Sequence, residues 1–341
     1  MSKKYNICHF SDVLFVGGLE TYIASLLNAL VDDGHNAFLV GQRISKEMYD
    51  LLDNRVIIME SLINYSLYSK FIINNKIDVL HAHPVDMIPT CFELSKKHNI
   101  PMTITYHGQY GWCHNLHGQF PIVAVSKEVQ NILNKDIRLS NRIHYIQNGI
   151  DTLQFYPQNK KNDSEKFKIL FIGRVDIDKK YSINKIVQAT RNMRNIELIV
   201  AGMGAEFDNV KKSVPMYVKM LGYRTDMNEI INEADIVIAT GRGIRESMLC
   251  KKPCISMDAC YYDGIVSEET ISDIEYSNFS GRSKIRVPMT QEVITNDIQK
   301  LKDEKFRSDL SEWSYKYAVE NYTLDIFLKN HIEIYQKLIG E

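Results

Sequence analysis

At 341 residues, with 45% hydrophobic and 24% charged side chains, the chain is long enough for two domains that each bury a core. A formal net charge of −1 and the lack of a long basic run give no field to gather nucleic acid. No stretch approaches the roughly 18 uninterrupted apolar residues of a membrane span, and the first residues show no signal-peptide pattern. A cytoplasmic protein is expected, at most peripheral at the inner face of the membrane. Its six cysteines, Cys8, Cys91, Cys113, Cys250, Cys254 and Cys260, then read as reduced thiols without zinc-site spacing.

In chain order, β-rich runs at Asn6 to Phe10, Ala37 to Val40, Val56 to Met59, Val79 to Ala82, Met102 to Tyr106, Ile122 to Val125 and Ile143 to Ile146 alternate with helical patterns. Between the first two, Ile23, Leu26, Leu27 and Leu30 recur at three- and four-residue steps as one buried helix face. The alternation predicts βαβ units and a parallel sheet. After a polar stretch at 157–166 with the composition of a linker, the scheme repeats with strands at Phe167 to Ile172, Ile196 to Ala201, Val218 to Leu221, Ile236 to Ala239 and Pro253 to Ser256. Helices from about Gln291 close the chain.

Several strand ends carry chemistry. Gly17 and Gly18 precede a helix starting near Glu20, which suits either a tight turn or close approach to a phosphate at a helix N-terminus. His81, His83 and nearby Asp86 match no metal-site spacing and read as strand-end residues. His107 follows a strand, and the loop beyond it offers Tyr110, Trp112 and His114, a composition suited to stacking on a sugar ring or to packing on itself. Gly173, Arg174 and Lys179 place two cations between a buried strand and a helix, where a diphosphate settles in an open α/β sheet. Gly202-Met203-Gly204 and Gly222-Tyr223-Arg224 are further strand-end turns, and Thr240 to Arg245 reads as a short Gly-rich loop with Arg242 or Arg245 as an extra cation.

Six pieces in one order, Gly17-Gly18-Leu19-Glu20, Tyr106-His107-Gly108, Val125-Ser126-Lys127, Asn148-Gly149-Ile150-Asp151, Gly173-Arg174 with Lys179, and Glu246 through Pro253, make the whole chain resemble glycosyltransferase family 4. The resemblance implies the α/β GT-B fold, two doubly wound Rossmann-like domains facing across a cleft. An acceptor-side domain would span 1–156, a linker 157–166 and a nucleotide-sugar domain 167–320, with a helix at 321–341 crossing back to the first domain. It also implies a retaining, metal-independent transfer from a nucleotide diphosphate sugar to a glycan, lipid-linked or small-molecule acceptor, with no cofactor. Arg174 and Lys179 would stabilise the leaving diphosphate, and His107 would touch the donor sugar. Glu246 would accept from the ribose hydroxyls, and the Gly222-Tyr223-Arg224 backbone would read the base. Gly17, Gly18, Gly173, Gly241, Arg242, Gly243 and Ile244 would complete the donor site, and Tyr110, Trp112 and His114 would face the acceptor. An Asn-, Lys- and Ile-rich composition suits a bacterial surface-polysaccharide pathway.

One departure matters. Family members carry a second glutamate eight residues before Glu246, where this chain has Ile238. Two alternatives stay open: a nucleotide-sugar epimerase of the same fold, and a non-catalytic nucleotide-binding relative.

Overall fold

The computed structural model describes residues 3–15, 17–83, 86–108, 120–136, 139, 142–158, 165–259 and 261–340. They form two compact units, Met1–Gly149 with Leu324–Glu341, and Ile150–Thr323.

The first unit is built on strands β1 (Asn6–Leu14), β2 (Asn36–Ile44), β3 (Ile57–Glu60), β4 (Val79–Ala82), β5 (Met102–Tyr106), β6 (Ile122–Ala124) and β7 (Ile143–Tyr145). Helices α1 (Gly18–Asp32), α2 (Lys46–Leu51), α3 (Tyr65–Asn74), α4 (Met87–His98) and α5 (Lys127–Leu133) connect them. All neighbouring strands are parallel in the order β3-β2-β1-β4-β5-β6-β7. The order reverses between β1 and β4, the switch point at which doubly wound sheets bind ligands. Every residue of β4 and β5 is buried, as expected for central parallel strands covered on both faces. On α1 the predicted stripe of Ile23, Leu26, Leu27 and Leu30 is fully buried. Ser45, Asn64 and Ser126 cap α2, α3 and α5 by accepting from backbone N–H groups three residues on.

The second unit repeats the design with β8 (Phe167–Ile172), β9 (Ile196–Ala201), β10 (Val218–Gly222), β11 (Ile236–Ala239), β12 (Cys254–Met257) and β13 (Tyr262–Ile265). Its helices are α6 (Ile177–Thr190), α7 (Phe207–Ser213), α8 (Met227–Glu233), α9 (Arg242–Leu249), α10 (Ile271–Tyr276), α11 (Gln291–Lys302) and α12 (Glu304–Asn321). The sheet order is β10-β9-β8-β11-β12-β13, parallel except for β13. Here the switch point lies between β8 and β11. Each unit is therefore a doubly wound Rossmann-like sheet, and each strand read from the sequence is present; the antiparallel edge strand β13 was not among them.

The unit boundary falls at Gly149, earlier than the 157–166 segment. A Cβ on Gly149 would stand 2.5 Å from that of Phe327, and Ile150 instead pairs with Tyr322 through a 2.8 Å backbone hydrogen bond. Residues 151–158 are tied to α8, where the amides of Tyr156 and Gln158 donate to Asn228 and Asn232 (3.2 and 2.8 Å). Residues 159–164 lie outside the described residues. The last helix, α13 (Leu324–Ile339), buries Phe327, His331, Ile334 and Tyr335 in the first unit's core with α1.

Among the described residues no helix is long and apolar enough to cross a membrane. Cys8, Cys91, Cys250 and Cys254 are buried free thiols, and Cys113 and Cys260 lie outside the described residues.

Candidate functional site

In the second unit, three consecutive strand ends are stitched together by backbone. The Gly202 amide donates to the Gly222 carbonyl (2.9 Å), Gly173 to Ala201 (3.1 Å) and Val175 to Met203 (3.0 Å). Gly202 has a φ of +143°, and a Cβ there would collide with the Gly173 carbonyl oxygen. Only glycine lets the turns after β8 and β9 approach this closely. The turn after β8 is thereby held rigidly ahead of α6.

That turn carries Arg174, whose side chain is 81% exposed and whose Nε lies 3.5 Å from Asp176 Oδ2. Lys179, in the first turn of α6, is only 14% exposed, and its ammonium is ion-paired to Asp258, just beyond β12. The Asp258 carbonyl also accepts from Ser182 Oγ (2.9 Å), which fixes α6 against the end of β12. Asp176 and Asp178 on either side of Ile177 do not converge on one point: Asp176 accepts from the Ala205 amide (3.2 Å), and Asp178 from the Lys179 amide (2.9 Å). One cation thus projects from the end of β8, while the second is held by a carboxylate.

At β11 the expected Gly-rich loop is absent. The helix begins at Arg242, directly after a turn in which Gly241 has a φ of +55° and donates to the Phe279 carbonyl (2.8 Å). Gly243 therefore lies in the helix, where a Cβ would press on Ala239 at 3.1 Å. The Ile244 side chain is fully buried in the core, so a donor can meet only its backbone. Arg245 is buried too, with its guanidinium stacked 4.8 Å from Phe279 and 5.0 Å from Tyr322 and its Nη2 donating to Asn278 Oδ1 (2.7 Å). It supplies packing, not an exposed cation. Ile238 is a fully buried strand residue.

Glu246 sits in the second turn of α9, and its Oε1 accepts from Arg242 Nε at 2.6 Å. Burial pushes its carboxyl pKa up, and Arg242 opposes that rise. The pair holds the carboxyl group in a nearly dry position. Gly222 has a φ of +73°, Tyr223 is exposed, and Arg224 Nε bonds Asp226 Oδ1 (2.7 Å).

A segment unnoticed in the sequence borders these groups. Asn278, Phe279 and Gly281 have φ values of 61°, 56° and 73°, and bulky Phe279 is fully buried in that left-handed conformation. Its carbonyl receives Gly241, and a Cβ on Gly281 would stand 2.6 Å from that of Asp258. At the non-glycine residues Asn278 and Phe279 such a conformation costs about 1 to 3 kcal/mol each, and strain of this kind clusters at ligand sites.

In the first unit, Gly17 caps α1 in an extended conformation and Gly18 is its first residue, with nothing within 4 Å of where a Cβ would stand. The α1 N-terminus can accordingly approach a ligand. Tyr110, Trp112 and His114 lie outside the described residues.

His107, after β5, belongs to a buried network that extends well beyond it. His9 on β1 faces His81 on β4 in register. His9 Nδ1 lies 2.9 Å from His83 Nε2, and His83 Nδ1 lies 3.0 Å from His107 Nε2. His81 bonds Tyr335 Oη and Thr105 Oγ1, both at 2.7 Å. Tyr22 Oη reaches His331 Nε2 at 2.7 Å, and His331 Nδ1–H donates to the Phe327 carbonyl (2.8 Å). Burial pushes every one of these imidazoles down, His9 and His107 to about 3 and His331 to about 4, with His81 and His83 well below the ordinary value. His81 lies in β4 and His83 directly after it, and both of these strand-end residues are fully buried. One ring nitrogen each from His9, His81 and His83 falls within 4.8 Å of the others, a grouping able to attract a metal ion. Most of these nitrogens are already hydrogen-bonded, so a cation would have to break the network to enter.

Residues 16–154 match the family model for Glycosyltransferase Family 4, and residues 166–273 that for Glycosyl transferases group 1. The chain belongs to glycosyltransferase family 4. As a member of this family it is a glycosyltransferase, and similar solved structures share its GT-B fold. A glycosyltransferase from Rickettsia africae matches with a TM-score of 0.79 at 18% identity, covering 99% of each chain. HepE from Anabaena in complex with UDP gives 0.76 at 15%, covering 98% of this chain and 100% of that one. Sucrose-phosphate synthase from Thermosynechococcus elongatus gives 0.73 at 14%, covering 99% and 100%. No curated protein matches the chain.

Proposed function

We propose that this family 4 member is a retaining glycosyltransferase that needs no metal ion. It moves a sugar from a nucleotide diphosphate sugar to a glycan, lipid-linked or small-molecule acceptor in bacterial surface polysaccharide synthesis, in the cytoplasm or at the inner face of the membrane. The observation that carries this reading is the placement of Arg174 and Lys179 beside the rigid glycine turn at the end of β8. As the bond between the sugar's anomeric carbon and the β-phosphate oxygen breaks, the electron pair leaves with the diphosphate. Two preorganised cations stabilise that growing charge. The acceptor hydroxyl oxygen bonds the anomeric carbon from the face the diphosphate leaves, and its proton passes to a phosphate oxygen. Glu246, held by Arg242, accepts from the two ribose hydroxyls. The backbone at Gly222-Tyr223-Arg224 faces the base, and His107 positions the sugar.

The HepE structures hold UDP or UDP-glucose, which makes uridine diphosphate sugars the first donors to test. The experiment is transfer from a panel of these sugars in EDTA, with the product's anomeric configuration read by NMR. An α-linked product from an α-linked donor supports the reading; inversion, or transfer only after a divalent metal is restored, overturns it. Epimerised donor without transfer would instead assign an isomerase. Nucleotide binding without any turnover would assign the non-catalytic reading, which buried Ile238 in the place of the family's first glutamate favours.

A further inference from the structure

The mechanism above uses His107 alone, yet two more histidines stand in line behind it. His9, His83 and His107 meet edge to edge, with N···N distances of 2.9 and 3.0 Å and ring centroids 5.1 and 5.3 Å apart. His81 packs against His9 and His83 with centroids at 4.6 and 4.5 Å, and Tyr22 meets the His107 ring edge-on at 4.6 Å. The rings cannot turn without unpacking this core.

A neutral imidazole carries one N–H and one lone pair. Two hydrogen bonds among three such rings therefore admit only two polarities. In one, His9 Nδ1–H donates to His83, His83 Nδ1–H donates to His107 Nε2, and the His107 proton is on Nδ1. In the other every proton moves to Nε2, and both bonds reverse. What separates the two is His9 Nε2, fully buried and without a hydrogen-bond partner among the described residues. The first polarity leaves a bare lone pair there, and the second leaves a buried N–H with no acceptor. Buried donors without acceptors are the rarer and costlier defect.

We propose that His9 and His83 are positioning residues that lock His107 as a neutral imidazole protonated on Nδ1. His107 Nε2 is then consumed as an acceptor, and the ring meets its ligand as a hydrogen-bond donor with no lone pair left to take a proton. This rests on the reading that His107 touches the donor sugar, where it would donate to a hydroxyl or phosphate oxygen and could not act as the base.

The test reads the proton directly and needs neither donor nor turnover, so it stands or falls apart from the assignment of function. Two-bond nitrogen–proton NMR of the full chain labelled with 15N-histidine, at pH 7, should show His9, His83 and His107 each protonated on Nδ1. Any of the three protonated on Nε2, or as imidazolium, overturns the proposal. Two variants then manipulate the chain's inner end. In His9→Asn the amide NH2 stands where Nδ1–H stood, so His107 should keep its Nδ1 proton. In His9→Asp the carboxylate can only accept, so His107 should switch to Nε2–H; an unchanged His107 in a folded His9→Asp protein also overturns it. If the buried aspartate prevents folding, the wild-type and His9→Asn spectra decide alone. In transfer assays, kcat should fall at least about tenfold in His9→Asp relative to His9→Asn, a gap that lost packing would not produce in two side chains of equal size.

Discussion

The two units share the order of their first six strands and differ in what they place at the carboxyl ends of those strands. At its β1/β4 switch point the first unit gathers buried, uncharged imidazoles that bond one another and the hydroxyls of Thr105 and Tyr335, with His331 of α13 bonding Tyr22 beside them. At its β8/β11 switch point the second unit gathers ions: exposed Arg174, Lys179 against Asp258, and Arg242 against Glu246. A neutral network packed this closely stays rigid. Ion pairs at a strand end can exchange a carboxylate for a phosphate with little reorganisation. The same sheet order thereby carries a stiff, neutral hydrogen-bond network in one unit and a cluster of exchangeable charges in the other.

The largest contrast should appear in acid. For His9, His81, His83, His107 and His331 the folded pKa lies below the ordinary 6.5, so the unfolded chain binds more protons once the pH drops below that value. Their stabilisation is complete above pH 6.5 and is lost as the pH falls from there toward about 4 and then 3, where the native rings also protonate. Each contributes up to about 1.4 kcal/mol per pH unit in that window, so the five together should cost about 6 kcal/mol between pH 7 and 5.5. Urea unfolding at the two pH values measures this. Equal midpoints would mean the network is charged or hydrated.

In the second unit, Arg174→Ala and Lys179→Ala should each lower kcat/KM at least about a hundredfold by removing a charge that stabilises the leaving group. Steady-state transfer assays check this, and full activity in both variants would remove the diphosphate from the β8 turn. Glu246→Gln should weaken nucleotide binding about tenfold, because the amide accepts less well from both ribose hydroxyls and the charge that pairs with Arg242 is lost. A 2′-deoxy nucleotide titrated into the same variant should show a smaller loss. The smallest expected effect is a gain: Asp258→Asn frees Lys179 and should tighten nucleotide diphosphate binding about threefold, at some cost in thermal stability. Weaker binding in that variant would show that Asp258 orients Lys179 rather than competing for it.

How much of this was legible in the sequence follows from which interactions are local. Apolar runs alternating with helical periodicity reveal both sheets, because a buried parallel strand and an amphipathic helix each write their pattern over neighbouring residues. Gly173, Arg174 and Lys179 were visible for the same reason, lying between a strand and its helix. Asp258 was not, because it meets Lys179 across 79 residues, and an aspartate after a strand has many uses. His9 reads as one more strand residue until β1 and β4 are put in register; only then do His-Ala-His and His107 become an imidazole chain. The loop expected at Thr240 to Arg245 is a helix because Gly243 and Ile244 pack inward, a consequence of tertiary contact that glycine content alone does not reveal. The left-handed Phe279 leaves no trace in the sequence.

The measurement to make first is calorimetric titration of UDP into the wild-type protein and Arg174→Ala, both in EDTA. Saturable binding by the wild type that weakens at least about tenfold in the variant is the predicted result. Equal affinity in the two proteins would contradict a diphosphate seat at the end of β8.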